Sequence, residues 1–201
     1  PSGKSSAWRF IRPTQRRPLI GRLRNIADFS LIKKGGGVKM NKEWLEETNI
    51  KKWHYKGLHC LIIRHPDAGH LCGYVQIPKG HILYGRGYST YLPQVLMRKW
   101  KKIRQGNVGK RGAIDIFCQD RDHPTCGFFF DVHGGITLAG KPKGEQKGFW
   151  YGFDCGHSGD LSPFYEVSEE YKKYNTYRNM DYVTAETERL AEQILNARSR
   201  L

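Results

Sequence analysis

Two apolar, β-rich runs, Leu58–Arg64 and Leu71–Ile77, lie so close together in the chain that they constrain the fold more than any other feature of it. The first stops at His65-Pro66, the second at Pro78-Lys79-Gly80, and Asp67-Ala68-Gly69 between them is turn chemistry. So short a link predicts an antiparallel hairpin. Further extended runs are predicted over 113–118, 127–132 and 149–154, with a short extended piece at 81–84 and a polar, lysine-rich turn at 140–148. A short helical turn is expected over 43–50. An amphipathic helix is expected over 91–103, where Leu92, Val95, Leu96 and Ile103 alternate with basic residues. The clearest helical period comes last: Met180, Val183, Leu190, Ile194 and Leu195 predict a helix over 180–198 that packs on the sheet. Hairpin-connected strands with helices at the ends give an α+β fold with a mainly antiparallel sheet and a C-terminal amphipathic helix. Neither an internal repeat nor a Rossmann-type alternation is visible.

Charge divides the chain unevenly. The formal net charge is +15, but residues 1–39 carry ten Lys/Arg against one acidic residue, and the remaining 162 residues carry 24 against 18. Residues 1–39 lack a regular apolar period and are rich in Arg, Ser, Pro and Gly. They read either as a disordered basic arm for phosphate or as a translated leader. The leader reading rests on Lys33-Lys34-Gly35-Gly36-Gly37, which purine-rich codons of ribosome-binding type would encode a short distance before Met40. The expected organisation is therefore a leader or arm over 1–39 and a single α+β domain over 40–201.

No apolar run approaches the roughly 20 residues that span a bilayer, and no signal-peptide core is present, so the expectation is a soluble, cytoplasmic protein without a membrane partner. Five cysteines without a C-x-x-C pair argue against both a zinc ribbon and a secreted disulfide framework. Cys118 and Cys126 bracket a polar loop that contains His123, which leaves a metal clip there as one reading. Cys155 reads as an inert buried thiol.

Three segments carry more chemistry than packing requires: 69–81, 131–137 and 152–160. Each sets His beside several glycines at a strand end, where backbone can approach a ligand closely. With 127–133 as a strand, Asp131 and His133 share a face; with 149–154 as a strand, Trp150 and Asp154 do. Pairing of these strands would bring Asp131 and His133 toward Asp154, and the following loop adds His157 and Asp160. The candidate ligand-binding set is His133, Gly134, Gly135, Trp150, Asp154, His157 and Asp160, with His133, Asp154 and His157 as metal ligands. Such a His/Asp set holds a divalent ion or moves protons. The competing reading is turn and core duty, since Asp beside Gly commonly caps a turn. His54, His59 and His65 read as ordinary surface histidines. The basic stretch 98–112, with Trp100 inside it, reads either as a phosphate-binding surface or as a solvated face, and its glycines do not form a P-loop.

Asp131-Val-His133-Gly134 resembles the opening metal motif of calcineurin-like phosphoesterases, whose later asparagine–histidine and glycine–histidine motifs are absent here. More broadly, 69–85, 132–140, 150–163 and 177–193 resemble a group of small uncharacterised proteins of bacteriophages, prophages and other mobile elements, in which 86–126 would be a longer segment than usual. That resemblance implies the cytoplasm of a bacterial host and supplies no reaction. The functional expectation is a protein that binds a nucleotide or other phosphate ligand in the His/Asp/Gly-rich pocket, with a divalent metal as the candidate cofactor. The alternatives are a metal-dependent phosphoester hydrolase and an accessory protein bound to a host protein. Nucleic acid is a further candidate partner.

Overall fold

The computed structural model describes residues 42–97 and 124–197. These belong to one compact unit, whose core is a five-stranded sheet with every neighbouring pair antiparallel, ordered β1-β2-β3-β5-β4. The strands are β1 (Ile50–Tyr55), β2 (Leu58–Arg64), β3 (Leu71–Ile77), β4 (Leu138–Gly140) and β5 (Phe149–Asp154). Three α-helices lie wholly within the described residues, α1 (Cys126–Phe129), α2 (Glu169–Tyr174) and α3 (Met180–Asn196), and another begins at residue 94. The α+β class, the β2–β3 hairpin and the C-terminal helix are as the sequence predicts. Among the described residues no helix is long and apolar enough to cross a membrane.

The long helix α3 lies across one face of the sheet. Val183, Leu190, Ala191 and Ile194 meet Ile62, Val75 and Phe153 in the main apolar cluster, and all are essentially inaccessible to water. Each of these side chains other than Ala191 contributes about 1.5–3 kcal/mol of burial free energy. The helix comes close because Gly73 lies beneath it. A Cβ at Gly73 would sit 2.4 Å from Oγ1 of Thr187 and 2.7 Å from the Phe153 ring. Thr187 is itself fully buried and spends its hydroxyl on the carbonyl of Val183, 2.7 Å away, so the close contact leaves no polar atom stranded. The start of α3 is held twice: Asn179 Oδ1 accepts from the Tyr182 N–H at 3.0 Å, and Glu47 accepts from the Met180 N–H at 2.6 Å.

Three expectations need correction. The helical turn expected over 43–50 is confined to Glu43–Leu45, of 3-10 type, and residues 50–55, which carried no expectation beyond Ile50, form an edge strand. Residues 81–85 run through turns rather than an extended piece. The predicted strand over 127–132 is instead the single turn α1 followed by an irregular segment. The reason is packing. The rings of Phe129 and Phe130, both buried, meet edge-on with centroids 5.1 Å apart, a contact between neighbours that the alternating faces of a strand do not allow. Cys126 and Gly127 donate their N–H groups to the carbonyls of Thr90 and Tyr88, each at 2.8 Å, which fixes the turn in place. The helix expected from 91 is present at 94–97, and its remainder, the 98–112 stretch, the 113–118 run, Cys118, His123 and residues 1–39 all lie outside the described residues.

Candidate metal centre

The centre forms where three chain segments meet beside the first half of α3: the Val132-to-Ile136 turn, the end of β5 with its following loop, and the residues leading into the helix. Asp160 is its hub. The side chain is 1% exposed, and its oxygens accept three hydrogen bonds. His133 Nε2 reaches Oδ2 at 2.7 Å, the His157 N–H reaches the same oxygen at 3.1 Å, and Arg178 Nε reaches Oδ1 at 2.9 Å. Burial by itself would raise the Asp160 pKa, but the hydrogen bonds from His133 and Arg178 outweigh it and hold the carboxyl below its ordinary value. The loop is pinned independently: Leu161 N–H donates to the Thr176 carbonyl and Thr176 N–H to the Gly159 carbonyl, both at 2.9 Å.

His133 is oriented at every polar atom. Its Nδ1 lies 3.0 Å from the Tyr182 hydroxyl and its backbone N–H donates to Glu186 at 2.9 Å, both on α3. Arg178 stacks over the Tyr182 ring at 4.9 Å, so cation, phenol, imidazole and carboxylate form one closed circuit. Burial raises the Tyr182 pKa, with Glu186 adding to it, so the phenol keeps its proton beside His133.

His157 stands apart from this saturation. Its ring rests against Gly134, where a Cβ would lie 2.1 Å from Cε1, and Gly134 has φ of +64°. Only glycine therefore allows the ring to sit there. Nδ1 of His157 is buried and has no hydrogen-bond partner. It points between two carboxylates, 3.7 Å from Asp154 Oδ1 and 3.8 Å from Asp160 Oδ2. Those distances exceed a hydrogen bond. They are close to the roughly 3.4 Å that separates two ligands of a tetrahedral ion with bonds near 2.1 Å. One ligand atom each from His133, His157 and Asp160 lies within 4.8 Å of the others.

The sequence-predicted residues are thus only partly brought together. His133, His157 and Asp160 converge, Asp154 stands beside them, and Gly134 forms the floor. Gly135, with φ of +82°, completes the turn and faces a cleft of about 290 Å³ lined by Tyr88, Phe128, Phe130, Val132 and Ile136. Trp150 shares a face of β5 with Asp154 but lies four residues back, about 13 Å along the strand, with its indole N–H on the Lys147 carbonyl. Asp131 departs as well. Because 130–133 is not a strand, its carboxylate swings out to Arg189 at 3.0 Å, and its backbone is bound in both directions by Gln193. The Asp-x-His pairing of the phosphoesterase motif is therefore not reproduced. Arg178, Tyr182 and Glu186 escaped sequence reasoning. Their only signal was their place in and just before the amphipathic helix, on the flank left polar.

Cys155 is 1% exposed and burial pushes its thiol well above the ordinary range, which fits inert packing. Cys126 is likewise free and fully buried. No protein-family model matches the chain, and no characterised protein or solved structure shows detectable similarity to it.

Proposed function

We propose that the protein binds a divalent metal ion through His133, His157 and Asp160, with Asp154 in reach, and through that ion a phosphate-bearing ligand such as a nucleotide. The observation that carries this reading is the buried, unpartnered Nδ1 of His157 aimed between two carboxylate oxygens. Leaving such an atom unsatisfied costs about 1–3 kcal/mol, and a cation between the three groups removes that cost. Charge supports the metal as the intermediary. Asp131, Asp154, Asp160 and Glu186 in this region are set against the two guanidinium groups of Arg178 and Arg189. A surface with that balance repels a bare phosphate and attracts a cation. Binding would take the proton from His133 Nε2 and widen its 2.7 Å contact with Asp160 by about half an ångström, toward ligand–ligand spacing. A ligand set of this size leaves a position for a phosphate oxygen or for water, and a metal-bound water is the nucleophile of phosphoester hydrolysis. The mobile-element resemblance would place that ligand in a bacterial host cell.

The test is calorimetric titration of the full chain with Zn²⁺ or Mn²⁺, then with a nucleotide, in wild type and His157→Ala. One metal equivalent is expected to disappear in the variant, and nucleotide heat is expected only in metal-loaded wild type. Release of inorganic phosphate from the bound nucleotide would make the protein a hydrolase; binding without release would make it a binder. Identical metal uptake by both proteins would leave the His133–Asp160 pair as a tether of the fold and favour an accessory role with a protein partner.

A further inference from the structure

The β1–β2 hairpin carries a second pair of imidazoles, far in sequence from the Asp160 centre and independent of it. His54 and His59 are directly opposite in the antiparallel register. The strands are joined by Lys56 and Gly57 alone, with φ of +46° and +83°, the left-handed pair that a tight I′ turn requires. Trp53 and Tyr55 turn toward α3, where they meet Glu188 and Glu192, so His54 and His59 project from the opposite, solvent-facing side. Both histidines are exposed, their ring centroids lie 4.1 Å apart, and their Nε2 atoms approach to 3.4 Å.

That last distance matches the ligand–ligand edge of a tetrahedral site, about 3.3–3.4 Å for two imidazole nitrogens each 2.0–2.1 Å from the ion. The backbone already supplies the arrangement: six register pairs hold the hairpin, and the turn admits little adjustment. The neighbouring cations are offset, since Lys52 pairs with Glu145 at 2.6 Å and Lys56 pairs with Glu192. We propose that His54 and His59 form a surface chelate for one divalent ion of the zinc and copper class, with water in the remaining positions. A pair of imidazole nitrogens suits such borderline ions and not Mg²⁺ or Ca²⁺, which prefer oxygen ligands.

The experiment uses the full chain carrying His157→Ala, so that uptake at this pair is read separately from the Asp160 centre. Zn²⁺ is titrated while the Cε1–H resonances of His54 and His59 are followed by NMR. Both signals are expected to shift together and saturate at one equivalent. Adding His54→Ala or His59→Ala should weaken that binding on the order of a hundredfold, because one imidazole keeps none of the chelate advantage. Both positions are exposed, so the urea midpoint should not move. The proposal is overturned if the two resonances stay still as Zn²⁺ is added, or if either substitution leaves the affinity unchanged. The Proposed function can fail while this chelate stands, and the reverse.

Discussion

Two carboxylates flank the start of α3, Glu47 partly buried and Asp160 buried, and they differ in a further respect that separates a latch from a site. Glu47 accepts from Arg64 at 3.0 Å, from the Tyr177 hydroxyl at 2.5 Å and from the Met180 N–H at 2.6 Å. Its guanidinium partner is 2% exposed and equally occupied, with Asn49 Oδ1, the Gly69 carbonyl and the Tyr177 oxygen as its other acceptors. Asp160 also receives an arginine, a side-chain donor and a backbone N–H. Next to it, however, stands His157 Nδ1, buried with nothing to bind. A fully paired cluster can only be broken, whereas one with a vacant nitrogen can also be completed. Buried polarity by itself therefore says little about function; unspent hydrogen-bonding capacity says more.

The sharpest way to break the comparison is Arg64→Ala, which removes a buried guanidinium and leaves the partly buried Glu47 and Tyr177 without their shared cation. A loss of about 3–5 kcal/mol is expected in urea denaturation, with metal uptake per folded molecule unchanged. Next comes Asp160→Asn, which keeps the shape and removes the charge that Arg178 and His133 face. About 1–3 kcal/mol should be lost, together with the metal equivalent. The same residue carries a pH signature with a definite sign. Its folded pKa lies below the ordinary 3.8, so its contribution to stability is complete above that value and disappears as pH falls through the depressed one. The acid limb of a stability-versus-pH curve should be shallower for Asp160→Asn than for wild type. The smallest effect is expected from His157→Ala. Removal of a ring whose buried nitrogen has no partner should move the urea midpoint by less than the other two substitutions, while the metal equivalent is lost. A large destabilisation there would erase the distinction between latch and site.

How much of this was legible in the chain follows from what each residue answers to. The β2–β3 hairpin, β5 and α3 declare themselves because their periods are local. The strand-end glycines drew attention to His133 and His157 as places where backbone approaches a ligand closely; what the fold sets against Gly134 is the His157 ring itself. Strand β1 was hidden. Lys51, Trp53 and Tyr55 spend their polar atoms on Thr184, Glu188 and Glu192, partners more than a hundred residues away that no window on 50–55 contains. Its one local clue was Lys56-Gly57, which also sets His54 opposite His59. Trp150 and Asp131 were misplaced for different reasons. The first shares the correct face at the wrong end of β5. The second was assigned by a strand period that the ring contact between the neighbours Phe129 and Phe130 breaks.

The strand order has a consequence for how the molecule assembles. Strands β1, β2 and β3 form a meander of adjacent segments, yet β3 pairs next with β5, across the whole interval between Ile77 and Phe149. Closing so long a loop is entropically slow, and pairings distant in sequence come late in folding. His133 lies within that interval and His157 and Asp160 beyond it, and His133 meets both Asp160 and its α3 partners Tyr182 and Glu186 only once the interval is closed. A newly made chain therefore holds its first three strands well before it has a centre, and metal uptake would report the completion of folding rather than its beginning.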